Sequence, residues 1–373
     1  MQTLQTYADA YLRLPAPAQT AARHAALDRL LSLGLPTRAE EDWKYTDLSS
    51  LHQLDPLAGA APMQATTLPA RSDGDGVDAL NAAFACGGLD LRIGRDHEHG
   101  KIVHAVGAGH RRHRIRVETG ASALIRVETD PAAAFQTVVL ELDLAPGASA
   151  QLLRLQQCRP EDHRITRIHA RVARDAQLDI ATLDLGGRLS RHDVRVDLAE
   201  AGAQATVRGL FCIDGQGHVD NYTRIDHHAV HGTSRELYRG LASDRGRGIF
   251  RGAVVVHPGA QKTDSEQRVA SLLLSPGAEI DAKPELEIYA DDVKCAHGNS
   301  FGQLDPAALF YLQTRGLPVD QARALLTLAF ALEPLRQIPH AGFRDEAVRR
   351  VASYLGATEV GEQETASATE EHG

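Results

Sequence analysis

Cysteine is scarce. The chain has four, Cys86, Cys158, Cys212 and Cys295, and no two form a C-x-x-C pair. A secreted scaffold stapled by disulfides would be shorter and denser in cysteine. The dispersed set points to a reducing, cytoplasmic setting, and its spacing gives no support to a self-sufficient four-cysteine cluster site. Long apolar runs are missing too, so no bilayer-spanning helix is expected. The first residues, MQTLQTYADAYLRL, lack a basic region followed by an apolar core, which speaks against a secretory signal. Positive charge is not in excess: the formal net charge is −9, which argues against nucleic acid as the main partner. The nucleotide-binding string G-x-x-x-x-G-K-[ST] does not occur, so the chain is not expected to be an ATPase of that type. H-E-x-x-H is absent as well, and no nucleophile elbow is expected.

Hydrophobic residues make up 43% of the 373 residues, enough for a substantial core. Both ends read as helical. Leu4, Tyr7, Tyr11 and Leu12 recur at helical spacing, as do Leu27, Leu30 and Leu31, with Gly34 and Pro36 closing the stretch. Asp55 to Gly76, rich in Ala, Pro, Thr and Gly, reads as a long loop and a candidate mobile excursion. Near the other end, Asp305 suits an N-cap and Pro306 the first helical position. Gly316 stops that helix and Pro318 opens another, with Leu325, Leu326, Phe330 and Leu335 available for a buried face. A third helix is expected over Phe343 to Leu355. The residues from 357 on are acidic and read as a disordered tail.

Between these ends the period changes to two. VVLELDL (Val138–Leu144), QLDIATLDL (Gln177–Leu185) and VRVDL (Val194–Leu198) alternate as half-buried strands do. Gly120-Ala121, Gly147-Ala148, Asp175-Ala176 and Gly202-Ala203 punctuate them in steps of 27, 28 and 27 residues. Gly259-Ala260 falls 27 residues after Gly232, and the period breaks at Gly277-Ala278. A fixed period of this length is a solenoid signature, since one short unit cannot bury its apolar face without stacked neighbours. The competing reading is a β-sandwich or Greek-key barrel. The expected division is an N-terminal helical domain with linker over 1–92, a β-solenoid over 93–303, a C-terminal helical domain over 304–356, and the tail.

Two segments carry candidate chemistry. In Asp226-His227-His228-Ala229-Val230-His231, the two adjacent histidines leave a strand on opposite faces and cannot easily share an ion. A His-rich strand surface is therefore favoured over a metal site. In PELEIYADDVKCAHGNSFGQL (Pro284–Leu304), one residue separates Cys295 from His297, so an extended backbone would send both to one face. A thiolate beside an imidazole suits iron or a transferred sulfur, although C-x-H alone is a weak signal. Asp291-Asp292 near Lys294 admits a solenoid polysaccharide lyase or hydrolase with a bound Ca²⁺, set against a plain solvated turn.

The run PELEIYADDVKCAHGNSFGQLDPAALFYLQTRGL (284–317), the segment FRGAVVVHPGAQKTDSEQRVASLLLSPGAEIDAKPELEIY before it, and RAEEDWKYTDLSSL (Arg38–Leu51) resemble the SufB/SufD family of iron–sulfur cluster assembly proteins. Leu54 to Ile115 matches little beyond general character. The DDVKCAHG-x-x-x-GQLD form is similar to the SufD branch, whereas SufB-like chains carry a C-x-H-E version. Asn299-Ser300-Phe301 depart from the small residues common there, which leaves that loop's shape open. The resemblance implies a mainly β protein, a right-handed parallel β-helix flanked by N- and C-terminal helical domains. It implies a non-catalytic scaffold that pairs with SufB and docks the SufC ATPase through its C-terminal helices. It implies no cofactor bound by the chain alone, but a transient Fe–S cluster in the complex, held at the SufB–SufD interface by His297 and, with less definition, Cys295. The rivals are the lyase or hydrolase and an adaptor solenoid that binds no metal.

Overall fold

The computed structural model describes residues 4–62, 68–96, 101–130 and 132–356. The expected tail and residues 63–67 of the long loop lie outside the described residues. Sixteen strands form two parallel sheets of eight. One sheet holds β1 (Asp90–Ile93), β3 (Arg111–Val117), β5 (Phe135–Leu144), β7 (His163–Val172), β9 (Leu189–Leu198), β11 (His218–His227), β13 (Arg247–Val256) and β15 (Glu279–Ile288). The other holds β2 (Ile102–Gly107), β4 (Ser122–Thr129), β6 (Ser149–Gln157), β8 (Gln177–Leu185), β10 (Gln204–Ile213), β12 (Thr233–Ala242), β14 (Asp264–Leu273) and β16 (Lys294–Gly302). Each strand pairs only with strands two places away in sequence. The chain therefore coils, one strand per sheet in each rung, as a parallel β-solenoid. The sandwich and barrel readings fall away, because their ladders are chiefly antiparallel.

The punctuating Gly-Ala pairs are the turns that carry the chain from the first sheet to the second. A ladder of left-handed residues runs up this edge: Gly120, Gly147, Asp175, Gly202, His231 and Lys262. The Gly202 amide donates to the Val230 carbonyl and the His231 amide to that of Gln261, each acceptor lying just before the left-handed residue of the next rung. Each turn's backbone is thus satisfied by its neighbour, which demands positive φ at one fixed place. At the fifth step of this ladder that place is His231 rather than Gly232. The register steps from Ser122 to Ser149, Gln177, Gln204, Thr233, Asp264 and Lys294, so the repeat lengthens in the later rungs. The apparent break at Gly277-Ala278 is a change of edge: these residues lie between β14 and β15, on the opposite turn.

Alternate residues of both sheets point into the lumen. In the early rungs the lumen is apolar, with Ile125, Leu140, Leu152, Ile168, Ile180, Val194 and Val207 in one buried cluster. The outer faces are covered by the two ends of the chain. Helices α1 (Gln5–Leu12), α2 (Ala21–Leu33) and α3 (Gly76–Phe84) bury Tyr7, Leu27, Leu30 and Phe84 against Phe135, Ile165 and Leu189 of the first sheet. Buried Arg112 ties α3 down through Asp78 at 2.9 Å and Asn81 at 3.1 Å.

The segment Arg38–Leu51 is a strap across the same sheet. Trp43 lies beneath the Arg191 guanidinium, 4.0 Å from ring centroid to charge, and donates to Asp75. The Asp42 carboxylate pairs with Arg195 and Arg251, and Glu41 with Lys283. The strap thus reaches from β9 to β15. The long loop's last residue, Asp75, caps α3 and makes a two-pronged pair with Arg167 at 2.6 Å. Burial works against its charge, but Arg167 outweighs that and holds its carboxyl near 2.

At the other end come α4 (Pro306–Thr314), α5 (Val319–Ala331), α6 (Glu333–Arg336) and α7 (Ala341–Tyr354). Asp305 accepts the Ala307 amide, as an N-cap should. Leu335, Phe343, Ala347 and Val351 pack on Leu153, Leu183, Leu210 and Leu241 of the second sheet's outer face. Three residues expected on buried helix faces project outward instead: Leu12, Leu31 and Leu325. Helical spacing gives a stripe, and the neighbouring element covers only part of it. No helix among the described residues is long and apolar enough to cross a membrane.

Candidate functional site

The last rung has nothing stacked on it among the described residues. β15 and β16 are the terminal strands of their sheets, so one edge of each has no strand partner. Pro284 sits within β15, where a missing N–H is tolerated because only one edge is paired. Side chains that earlier rungs would enclose emerge here. Val256 of β13 is wholly buried, while Ile288, its register partner in β15, is 43% exposed. Phe301 is 51% exposed at the same end.

Cys295 and His297 lie on β16, which is extended as their spacing requires. Their register partners in β14 are Ser265 and Gln267, both buried. The alternation that places Val269 in the core therefore directs Cys295 and His297 toward the lumen at its open end. Cys295 is half-buried and His297 exposed. Burial pushes the Cys295 thiol above the ordinary thiol range. Among the described residues no third His, Cys or carboxylate donor converges with these two. A groove of about 370 Å³ runs past His297 between Arg239, Arg268 and the β14–β16 ladder.

Behind the pair the lumen turns polar. One register column runs Ser234, Ser265, Cys295, with the Ser234 hydroxyl donating to that of Ser265 at 2.8 Å. His227 is fully buried, 2.9 Å from Ser234, which corrects the expectation of a His-rich strand surface at this position. The next column runs Glu236, Gln267, His297, and the Gln267 amide donates to Glu236. Burial raises the Glu236 carboxyl to about 7. Neither Glu236 nor Gln267 announces itself in sequence. In β12 the apolar Leu237 faces out while Ser234 and Glu236 face in, the reverse of what alternation suggests.

The other cysteines lie apart from this pair. Cys86 donates to the Ala108 and His110 carbonyls in the N-terminal interface. Burial raises Cys158 to about 12, and Cys212 is raised too, for the same reason. Such protonated thiols are poor ligands and nucleophiles. Asp292 pairs with Lys262 and its amide donates to Gln261, so the acidic pair belongs to the last turn, not to a carboxylate site. Gly298 to Gly302 spells G-x-S-x-G, but within an extended edge strand. A nucleophile elbow requires a sharp strand-to-helix turn, so Ser300 is not one.

The fold and this site define a parallel β-solenoid that displays a thiol and an imidazole at an uncapped end rather than in a closed pocket. Residues 102–330 match the family described as SUF system FeS cluster assembly, SufBD core domain, and the chain belongs to that family. The match covers β2 through β16, α4 and nearly all of α5. The chain is 28% identical to the iron–sulfur cluster assembly protein SufD of Escherichia coli over 386 residues, covering 88% of this chain and 91% of that one. It is 32% identical to an iron–sulfur cluster assembly SufBD family protein of Synechocystis over 210 residues, 56% of this chain and 46% of the other. It is 34% identical to SufD of Bacillus subtilis over 126 residues, 34% of this chain and 29% of that relative.

Proposed function

We propose that this chain is the SufD-type scaffold subunit of the SUF system, non-catalytic by itself and cytoplasmic. In this reading its uncapped last rung pairs with SufB, and Cys295 and His297 contribute to holding a nascent Fe–S cluster at the shared interface. The observation that carries the reading is the coincidence of three features on one end. Among the described residues the strand edges are unpaired, apolar side chains emerge from the lumen, and a thiol and imidazole stand among them with too few donors to complete a metal's shell. An open edge with apolar neighbours is a template for another chain, and a second subunit would supply the missing ligands.

SufC, in the same reading, docks on the C-terminal helices. α4 buries none of its residues and exposes Phe310 and Tyr311 at 67% and 57%. ATP binding would draw two SufC subunits together and strain the paired solenoids, opening the interface to iron and sulfide. The coupling requires only that nucleotide favour one of the two states.

The test is co-purification with the candidate SufB and SufC, then anaerobic cluster reconstitution with wild type and His297→Ala. His297 is exposed, so the variant should fold and assemble normally. The expected result is an intact complex whose iron–sulfur absorbance is lost. Full absorbance in the variant would remove His297 from the site, and failure to bind either partner would overturn the assignment.

A further inference from the structure

The end of β11 holds a second constellation, assembled across two rungs. His228 follows β11 directly, and its amide donates to the Leu198 carbonyl; the His257 amide, after β13, donates to the carbonyl of His227. The two residues therefore stand at equivalent places one rung apart. Their imidazoles stack with centroids 4.3 Å apart and planes 13° from parallel. Asp226, on the same outer face, is buried, with Oδ1 2.8 Å from His257 Nε2 and also accepting from Arg224 Nη2 at 2.9 Å, while Oδ2 accepts from Arg224 Nε at 2.7 Å. One donor atom each of Asp226, His228 and His257 lies within 4.8 Å of the other two. Asp197, on the preceding rung, places a further carboxylate oxygen 3.4 Å from His228 Nε2.

We propose that Asp226, His228 and His257 form a metal site for a first-row divalent transition-metal ion of the Fe²⁺ or Zn²⁺ class. Two imidazoles and a carboxylate are the donor set such ions take. Bonds of about 2.0–2.1 Å in a tetrahedral shell separate ligand atoms by about 3.3 Å. The His257–Asp226 contact need open only slightly, and the stacked rings must tilt out of parallel, because each imidazole nitrogen donates in the plane of its own ring. Arg224 grips both carboxylate oxygens, Nε at Oδ2 and Nη2 at Oδ1, and so fixes the carboxylate's orientation, the role that groups behind a metal ligand play; Oδ1 keeps its second lone pair for the ion. Asp226 is already an anion: burial disfavours its charge, but Arg224 and His257 more than compensate and keep its carboxyl below the ordinary range.

The surroundings favour a cation as well. Asp226 and Asp197 form one wall of a groove of about 630 Å³ between the strap and the first sheet, lined by eight carboxylates and four arginines. The donors come from the outer face of the first sheet, whereas Cys295 and His297 belong to the second. The site therefore stands independently of the cluster-assembly reading.

The experiment is an anaerobic titration of the metal-free full-length chain with Co²⁺, followed by visible absorption. Wild type and a Cys295→Ser/His297→Ala double variant should show the same ligand-field band and saturate alike. His228→Gln and His257→Gln, both at solvent-accessible positions, should weaken Co²⁺ binding tenfold or more while thermal unfolding without metal stays unchanged. If either glutamine variant proves unstable, Zn²⁺ protection replaces it as readout: Zn²⁺ should raise the unfolding midpoint of wild type and of the double variant equally. Wild-type Co²⁺ affinity in both glutamine variants would overturn the proposal. So would loss of the band, or of the Zn²⁺ protection, in the double variant.

Discussion

Glu236 lies two rungs behind His297 in one lumen column, and its carboxyl titrates near 7 in the fold against 4.5 ordinarily. A raised carboxyl means that the native state holds its proton more tightly than the unfolded chain. The stability this contributes is complete below about pH 4.5 and is lost as pH rises through about 7. Glu236→Gln keeps an acceptor for the Gln267 amide and cannot ionise. Its stability relative to wild type is expected to grow across that window by up to about 3 kcal/mol and then level off. Urea unfolding at a series of pH values checks this; a difference that does not change with pH would contradict it. At this scale the C-x-H spacing made the shared face of Cys295 and His297 legible. It could not say that the face is the lumen. His257 gave no signal at all, because its partner His228 lies a full rung away in sequence.

At the scale of elements, the turns were the clearest text. Steps of 27 and 28 residues between Gly-Ala or Asp-Ala pairs located the left-handed ladder in its first four rungs. Gly202 illustrates why. Its φ is +72°, and an added Cβ would meet the Asp175 carboxylate of the rung before. Gly202→Ala is expected to cost about 1–2 kcal/mol, measured as a lowered midpoint in chemical denaturation with an unchanged slope. The helices were less legible. Their existence followed from caps and breakers, such as Asp305 with Pro306, but the buried side of α5 did not. Ala322, Thr327 and Ala331 bury while Leu325 does not, because small residues let α5 approach its neighbours closely. The strap likewise gave only a family resemblance. Its physical role, Trp43 under Arg191 and Asp42 between Arg195 and Arg251, needs β9 and β13, which lie far from the strap and from each other in sequence.

For the whole molecule, the covered and uncovered surfaces decide the behaviour. The N-terminal helices and strap close one face, α5 to α7 close the other, and among the described residues nothing covers the last rung or α4. If α4 is a docking element, Phe310→Asp with Tyr311→Asp should abolish co-purification with SufC. The thermal midpoint of the isolated chain and its pairing with SufB should be kept. Loss of both partners at once would mean that α4 supports the end rung rather than a separate interface.

The sequence by itself determined the repeat, the turn positions, the helical ends and the pairing of Cys295 with His297 on one face. All are consequences of local backbone preference and of a period carried within a few residues. Only the tertiary structure decided which way each strand faces. Alternation points to a core only when the core is apolar, and the later rungs of this lumen are lined by Ser234, Glu236, Ser265 and Gln267. Only stacking brought His228 to His257 and Asp226, since a solenoid makes neighbours of residues one rung apart. That distance is set by the length of the intervening coil, and no local pattern records it.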